Sequence, residues 1–453
     1  MNSMKKITFI AFMIAFSCQI SAQFNVGIGR RMITPETPIW LSGYASRNKP
    51  ATEILHDLWA KAIVIEENKK IRIIIVTMDI IGLPHELSQN IIQKVMDKYG
   101  ISRSQVLLNT SHTHSGPVIW PSLSMMFDLG REDLKALIKY NHKLSEDIIG
   151  VIDQAFLDLK PSNLYIAHGS ADIAVNRRQA TEKGVVIGID REGPVDNDVP
   201  VLKVMSPDGK LRAVLFGYAC HNTTLDIYQV NGDYAGFAQS EIEKANDGVT
   251  AMFMAGCGAD QNPNPRRSVE AAKQHGKTLA DAVQKVLGGE FKPVRPPVRT
   301  DFTSVNLDLV PYSRAAYEDE IAGDDRHRMR RAGFILAAMD KGYDTRTLPY
   351  QVQAVRFGKD FALLALSGEV VVDYSLKSKI RYPEENLFVA GYCTEVQCYI
   401  PSQRVLKEGG YEAETSMIYY GLPGPFKENI EEKVFSAIDK VMKKTGARAD
   451  KKK

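Results

Sequence analysis

A chain of 453 residues with a hydrophobic fraction of 44% can bury a large core, which excludes a disordered or fibrous protein. Its net charge of +3 comes in part from the tail, Lys443-Lys444 and Lys451-Lys452-Lys453. No basic stripe interleaved with aromatics occurs elsewhere, so nucleic acid is not an expected partner. Five cysteines are too few for a disulfide scaffold in a chain of this length.

The chain begins Met1-Asn-Ser-Met-Lys-Lys6, continues in an apolar run from Ile7 to Phe16, and reaches small residues at Ser21-Ala22. That order describes a secretory signal peptide over residues 1–22, too short to stay as a membrane anchor. The mature chain is expected to start near Gln23 or Phe24 and to be exported, to the periplasm or beyond. Cys18 offers lipidation as the alternative, but Phe16 and Gln19 beside it make a poor lipobox. No second long apolar run follows, so no transmembrane segment is expected after cleavage. Export permits a disulfide among the remaining thiols, with Cys393 and Cys398 as a candidate pair.

The apolar runs at 62–65 and 71–78, split by Glu67-Asn-Lys-Lys70, predict a hairpin of buried strands. Helical spacing follows over 85–99 and 133–159, then strands at 163–168, 199–205 and 211–219. Ser206-Pro-Asp-Gly-Lys210 supplies the residues of a turn between the last two. A helix at 235–245, a strand at 250–254, a helix at 269–286 and a charged helical block at 314–341 come next. The runs at 351–357 and 361–366 predict a second hairpin, and 429–443 a closing helix. Strands and helices mix without strict alternation, no internal repeat occurs, and no Gly, Ser and Pro-rich linker divides the chain. The expected fold is mixed α/β (α+β): one large domain over 23–445, with mixed β-sheets flanked by helices and a basic tail at 446–453.

Four segments share the format of a strand ending in polar or Gly-rich residues: 107–117, 216–224, 253–263 and 363–369. In the first, Asn109-Thr-Ser-His-Thr-His-Ser-Gly-Pro117 places His112 and His114 two residues apart, a spacing that shares one face of a strand. If the four ends converge, His112, His114, His221 and Glu369 meet in one pocket. Imidazoles with one carboxylate suit a catalytic zinc ion, which activates water for attack on an amide or ester. The plainer readings are a hydrogen-bonded structural His221, a Glu369 that places charge at a helix N-terminus, and a buried thiol at Cys257. Asp233 reads as the N-cap of the following helix.

In the same order along residues 25–425, the sequence resembles the neutral, non-lysosomal ceramidases. Asn109 to Pro117 resembles their T-H-T-H-S-G-P segment and Val175-Asn-Arg177 their N-R segment. Cys220-His221-Asn-Thr-Thr224 resembles H-P-T, and Ser367-Gly-Glu369 resembles G/A-E-F. Tyr399-Ile-Pro401 with Gly410-Tyr-Glu-Ala413 resembles the Y-I/V-T-T and R-Y-E-A pair. The resemblance implies one zinc ion per chain, held by His112, His221, Glu369 and Tyr399. It also implies that His114, Arg177 and Tyr411 line the reacting carbonyl and its oxyanion.

Two departures bear on the chemistry. Where the family's D-x-S-P-N-like segment supplies a serine, this chain has Gly256-Cys-Gly-Ala-Asp-Gln-Asn-Pro263. Metal-activated water is therefore the expected attacking group, with Asp260 or Asn262 as candidates to orient it. The longer ceramidases also carry an immunoglobulin-like domain, whereas this sequence stops soon after Gly421-Leu-Pro-Gly-Pro425. The resulting expectation is an exported hydrolase acting on a lipid or small-molecule substrate, ceramide or a related N-acyl compound. The alternatives are a polar ester, lactone or N-acyl sugar, or an inactive binding relative. The dense charge of Asp324-Asp-Arg-His-Arg-Met-Arg-Arg331 favours a polar substrate, although a solvated helix face is its ordinary meaning.

Overall fold

The computed structural model describes residues 23–450. The signal peptide expected at 1–22 and the final three lysines lie outside the described residues. Two β-sheets pack face to face with helices on both outer sides, giving four layers, α, β, β and α. The larger sheet runs in the order Thr250–Ala255, Leu211–Tyr218, Asp198–Met205, Lys160–Ser170, Phe24–Met32, Trp59–Glu67, Ile71–Met78 and Val106–Thr110, with Lys292–Val294 added on Lys160–Ser170. The smaller runs Val298–Asp308, Thr347–Phe357, Phe361–Leu366 and Leu387–Ala390.

The central strands are apolar on both faces because both faces are covered. Ile63, Ile65, Leu107 and Leu215 point inward with Val355, Leu363 and Phe388 of the second sheet. Their neighbours Ala62, Val64, Val106 and Leu108 point outward, under the helices His85–Tyr99 and Arg131–Leu157. The helices Asp233–Ala245 and Val269–Leu287 cover the other half of that face. Helix Ile430–Thr445 covers the second sheet through Val434, Ile438 and Val441. Full burial of each such side chain contributes roughly 1.5–3 kcal/mol.

The expected hairpins form. Between Trp59–Glu67 and Ile71–Met78, Asn68 and Lys69 both take positive φ, 52° and 59°, as a tight hairpin turn requires. The charged block at 314–341 forms two helices, Arg314–Ile321 and Arg326–Asp340. Its break falls at Ala322-Gly-Asp-Asp325, where the Asp325 carboxylate accepts the His327 and Arg328 N–H groups and starts the second helix. The pair of helices interrupts the hairpin between Val298–Asp308 and Thr347–Phe357 and has a small core of its own, Tyr317, Ala332 and Ile335. The hairpin Ala174–Thr181 with Gly184–Asp190 was not anticipated, because its strands interleave charged residues with apolar ones that stay exposed, such as Ile187. Cys220, Cys257, Cys393 and Cys398 are all free buried thiols, so the candidate Cys393 and Cys398 bridge is absent. No helix among the described residues is long and apolar enough to cross a membrane.

The parallel pairs fix where chemistry can occur. Ile71–Met78 runs parallel to Val106–Thr110, Leu211–Tyr218 to Thr250–Ala255, and Phe361–Leu366 to Leu387–Ala390. Their carboxyl ends meet on one side, joined by buried Asn109. Its Oδ1 accepts the Ala255 N–H at 3.0 Å and its Nδ2 donates to Gly391 O at 2.8 Å. The long helix Arg131–Leu157 rests directly on strand backbone, since a Cβ at Gly27 would lie 1.7 Å from Ala155 O. Gly27→Ala is therefore expected to destabilise the fold by about 1–3 kcal/mol or more, read as a lower denaturation midpoint. An unchanged midpoint contradicts this packing.

Candidate metal centre

His112 and His221 are each fixed by two backbone bonds. The strand leading to His112 ends at Thr110, so the shared pocket does not arise from strand pleating as the spacing suggested. His112 instead takes φ 58°, donates its backbone N–H to Ile80 O at 3.0 Å, and aims Nδ1 at Ile81 O, 2.6 Å away. His221 follows the strand Leu211–Tyr218, donates its N–H to Gln261 O at 3.0 Å and aims Nδ1 at Gly258 O, 2.9 Å away. A carbonyl only accepts, so Nδ1 carries the proton in both rings and Nε2 presents a lone pair.

Both lone pairs face the same atom. Glu369 Oε2 lies 3.1 Å from His112 Nε2 and 3.2 Å from His221 Nε2, fully buried and with no hydrogen-bond donor. Glu369 and Tyr399 sit in register on the paired two-residue strands Glu369–Val370 and Tyr399–Ile400. The Tyr399 hydroxyl reaches His221 Nε2 at 3.3 Å. Separations of 3.1–3.3 Å match the ~3.3 Å edge of a tetrahedron whose centre lies 2.0–2.1 Å from N and O ligands. Glu369 Oε2, crowded against two lone pairs with no donor of its own, is stable only around a cation, so the residues fit a divalent metal.

His114 completes a cluster of three buried imidazoles, His112, His114 and His221, whose ring nitrogens lie within 4.8 Å of one another. It differs from the other two in its support. Its Nε2 lies 3.2 Å from His112 Nε2, but its buried Nδ1 has no partner. Its ring stands edge-on to Tyr44 at 4.8 Å, and a Cβ at Gly43 would meet Nδ1 at 2.3 Å, so only glycine fits there. Burial pushes the His221 ring down to about 4 and His114 well below its ordinary value, keeping both neutral. Neutral rings are the form that ligates metal or accepts a proton.

Arg177 spans the other side. Its Nε donates to Glu412 at 2.7 Å, Nη2 to the Tyr399 hydroxyl at 3.1 Å and Nη1 to Asn262 Oδ1 at 3.4 Å. Its guanidinium also lies over the Tyr411 ring at 5.6 Å. Burial raises the Tyr411 phenol, so it stays protonated as a donor. Asn262 is thus brought to the site, but Asp260 is engaged elsewhere. Asp260 Oδ1 accepts Val372 N–H at 2.8 Å and Oδ2 faces Asn176 Nδ2 at 3.4 Å, so it anchors the start of helix Val372–Arg381 instead of orienting water. Asp233 opens its helix one residue after the Gly232 cap, and its carboxylate accepts the Leu225 and Tyr234 N–H groups. Burial holds the Cys257 thiol protonated, which removes it as a nucleophile.

Sequence reasoning missed Tyr420, whose hydroxyl donates to Glu369 Oε1 and so fixes the carboxylate's other oxygen. It also missed Glu412, which braces Arg177, and Tyr392, whose ring stacks on His112 at 4.5 Å. Tyr420 and Tyr392 stand in no spacing pattern, and Glu412 was signalled only by its place beside Tyr411. Of the charged block, Arg331 pairs with Glu320 and Arg330 with Asp128. His327 instead lies edge-on to Tyr419 at 5.4 Å.

The family model described as neutral/alkaline non-lysosomal ceramidase, N-terminal, matches residues 24–286. The neutral ceramidase of Drosophila melanogaster is 24% identical over 265 residues, 53% of this chain and 35% of that protein. That of Pseudomonas aeruginosa is 24% identical over 255 residues, 53% of this chain and 37% of its own length. The match thus spans about a third of the length of these relatives. The crystal structure of neutral ceramidase from Pseudomonas aeruginosa superposes with a TM-score of 0.70 at 18% identity, covering 95% of this chain and 76% of that one. This likeness shows the mixed α/β fold.

Burial pushes the Asp260 carboxyl up to about 7, against the lowering effect of the Val372 N–H bond. A folded pKa above the ~3.9 of an unfolded Asp means that its stabilising contribution is complete below about pH 4 and lost as pH rises through about 7. Asp260→Asn keeps the acceptor for Val372 without the charge. Its stability is expected to gain on the parent by on the order of 1–4 kcal/mol between pH 4 and 8. A difference independent of pH, read in denaturant titrations, contradicts the assignment.

Proposed function

Because the chain belongs to the neutral/alkaline non-lysosomal ceramidase family, we propose that it is an exported zinc-dependent amidohydrolase cleaving the N-acyl bond of ceramide or a related N-acyl compound. The observation that carries this reading is the donorless Glu369 Oε2 facing the Nε2 atoms of His112 and His221. Those three residues and Tyr399 are the proposed zinc ligands. A bound zinc ion supplies Lewis acidity, polarising the acyl carbonyl and lowering the pKa of water. Burial and Glu369 raise the Tyr399 phenol well above its ordinary value and the Arg177 contact offsets only part of this, so the phenolate that ligation needs would form only with the cation bound.

The other residues act on the substrate. Arg177 and Tyr411 donate toward the carbonyl oxygen as it gains negative charge, and their burial strengthens each bond. His114 lines the same carbonyl and, being neutral, takes a proton from the attacking water and returns it to the leaving nitrogen. Asn262, against Arg177, orients that water. Attack falls to water because residues 256–263 contain no serine and Cys257 stays protonated. Export rests on the pattern of residues 1–22 and places the protein in the periplasm or outside the cell. A polar ester, lactone or N-acyl sugar would use the same site, and the charged block Asp324 to Arg331, whose His327 ring lies against Tyr419, favours that second reading.

The purified protein is expected to hold one zinc ion per chain and to release fatty acid from a fluorescent short-chain ceramide in a chelator-sensitive way. Zinc without release would remove ceramide as substrate. His221→Ala should abolish metal retention and turnover while leaving the circular dichroism spectrum intact; a variant that keeps both contradicts the ligand set. Tyr420→Phe should weaken zinc retention about tenfold in competition with a chromogenic chelator, the scale of losing an outer-shell partner. Unchanged retention would deny Tyr420 that role.

A further inference from the structure

Several buried or part-buried arginines in this fold are matched with carboxylates, Arg331 with Glu320, Arg356 with Glu385 and Arg404 with Asp373, although Arg103 is held by amide and hydroxyl groups instead. Around Tyr44 and Ala45 the pattern changes. Arg266 donates from Nε to Thr223 O at 2.8 Å and its guanidinium meets the Tyr44 hydroxyl. Arg326 Nη2 reaches Ala45 O at 3.4 Å. Arg47, only 3% exposed, spends its donors on the carbonyls of Ser42, His114 and Ile227 and leaves Nε without a partner. Among the described residues none of the three forms an ion pair, and nearby Asp226 is held by Arg267 at 3.9 Å.

Chains of contact connect these cations to the reacting end. Tyr44 stands on His114. Thr223, two residues past His221, shares Asn262 Oδ1 with Arg177, each at 3.4 Å. From Arg326 the contact path runs through His327 and Tyr419 to Tyr411, with ring separations of 5.4 and 6.4 Å. Both arginine positions are thus a few contacts from the residues proposed to hold the carbonyl. Asp226 acts on Arg47 and Asp233 on Tyr44 without pairing with any of the three arginines, and positive charge left unpaired in this way concentrates and orients an anion, which the head group of ceramide does not offer.

We infer that the leaving head group of the preferred substrate is anionic, a carboxylate, sulfonate or phosphate received by Arg266 and Arg326, with buried Arg47 adding charge behind them. The inference rests on the amidohydrolase reading of the same site. It makes Arg266 and Arg326 determinants of specificity that take no part in bond cleavage.

The test uses the full zinc-loaded chain and dodecanoyl amides matched in acyl chain: those of glycine (carboxylate), taurine (sulfonate), phosphoethanolamine (phosphate) and ethanolamine (neutral). The kcat/KM for at least one anionic amide should exceed that for the neutral one about tenfold, and the ratio should shrink as salt shortens the Debye length from about 30 to 8 Å. Arg266→Gln or Arg326→Gln should narrow the ratio at least about fivefold, through KM; a merely structural loss would lower both substrates together and leave the ratio unchanged. Hydrolysis-resistant secondary-amine counterparts, compared by calorimetry, report the same preference without turnover. Equal binding of anionic and neutral counterparts, or a ratio untouched by both variants, overturns the inference. If the anionic counterparts bind tighter but no amide is cleaved, the head-group inference stands and the amidohydrolase reading fails.

Discussion

The rest of the site depends on one constraint: a buried carboxylate oxygen faces two imidazole nitrogens that have no proton to give it. Ile81 and Gly258 accept from the far sides of the rings, so His112 and His221 cannot turn to relieve the contact. Tyr420 holds the other oxygen of Glu369, so the carboxylate cannot turn either. An arrangement of this kind is costly when empty and stable around a cation, which is why the geometry itself argues for metal. It also separates His114, which reaches the same cluster with no backbone acceptor behind it, from the two braced rings.

The fold supplies this constraint by bringing parallel strand ends together from two sheets. Val106–Thr110 leads to His112, Leu211–Tyr218 to His221 and Phe361–Leu366 to Glu369. Asn109 ties the first of these ends to Ala255 and Gly391, at the ends of the strands paired with the other two, so a single buried amide registers the sheets where the ligands emerge. The helix pair interrupting the second sheet carries Arg326 and His327 back over the same end. Arg326 thus comes from an element that carries none of the proposed catalytic residues, whereas Arg266 follows Asn262 in the same segment.

Much of this was legible in the sequence where burial imposes a pattern. The runs at 62–65 and 71–78 could only be paired buried strands, and the helices at 85–99 and 269–286 followed from spacing. The hairpin Ala174–Thr181 with Gly184–Asp190 was not legible, because its exposed apolar residues break the usual alternation. The break at Ala322-Gly-Asp-Asp325 was hidden because helix-favouring residues flank both sides. Within the site, His112, His114, His221 and Glu369 were visible as strand-end residues, whereas Tyr399 and Arg177 came only through the family resemblance. Asp260 was misread for a physical reason: a carboxylate in a Gly-rich turn can serve a helix N-terminus as readily as water, and here Val372 claims it. No local pattern marks Tyr420, since its role depends on a contact with Glu369 across the fold.

The central claim is that two braced imidazoles, a carboxylate and a phenol form the metal nest, with His114 outside it. X-ray absorption at the zinc edge of the purified, zinc-loaded protein tests it most directly. The account predicts four nitrogen and oxygen ligands near 2.0–2.1 Å, two of them imidazoles, with the imidazole count unchanged in His114→Ala and reduced by one in His112→Ala. Three bound imidazoles in the parent, falling to two in His114→Ala, would contradict it.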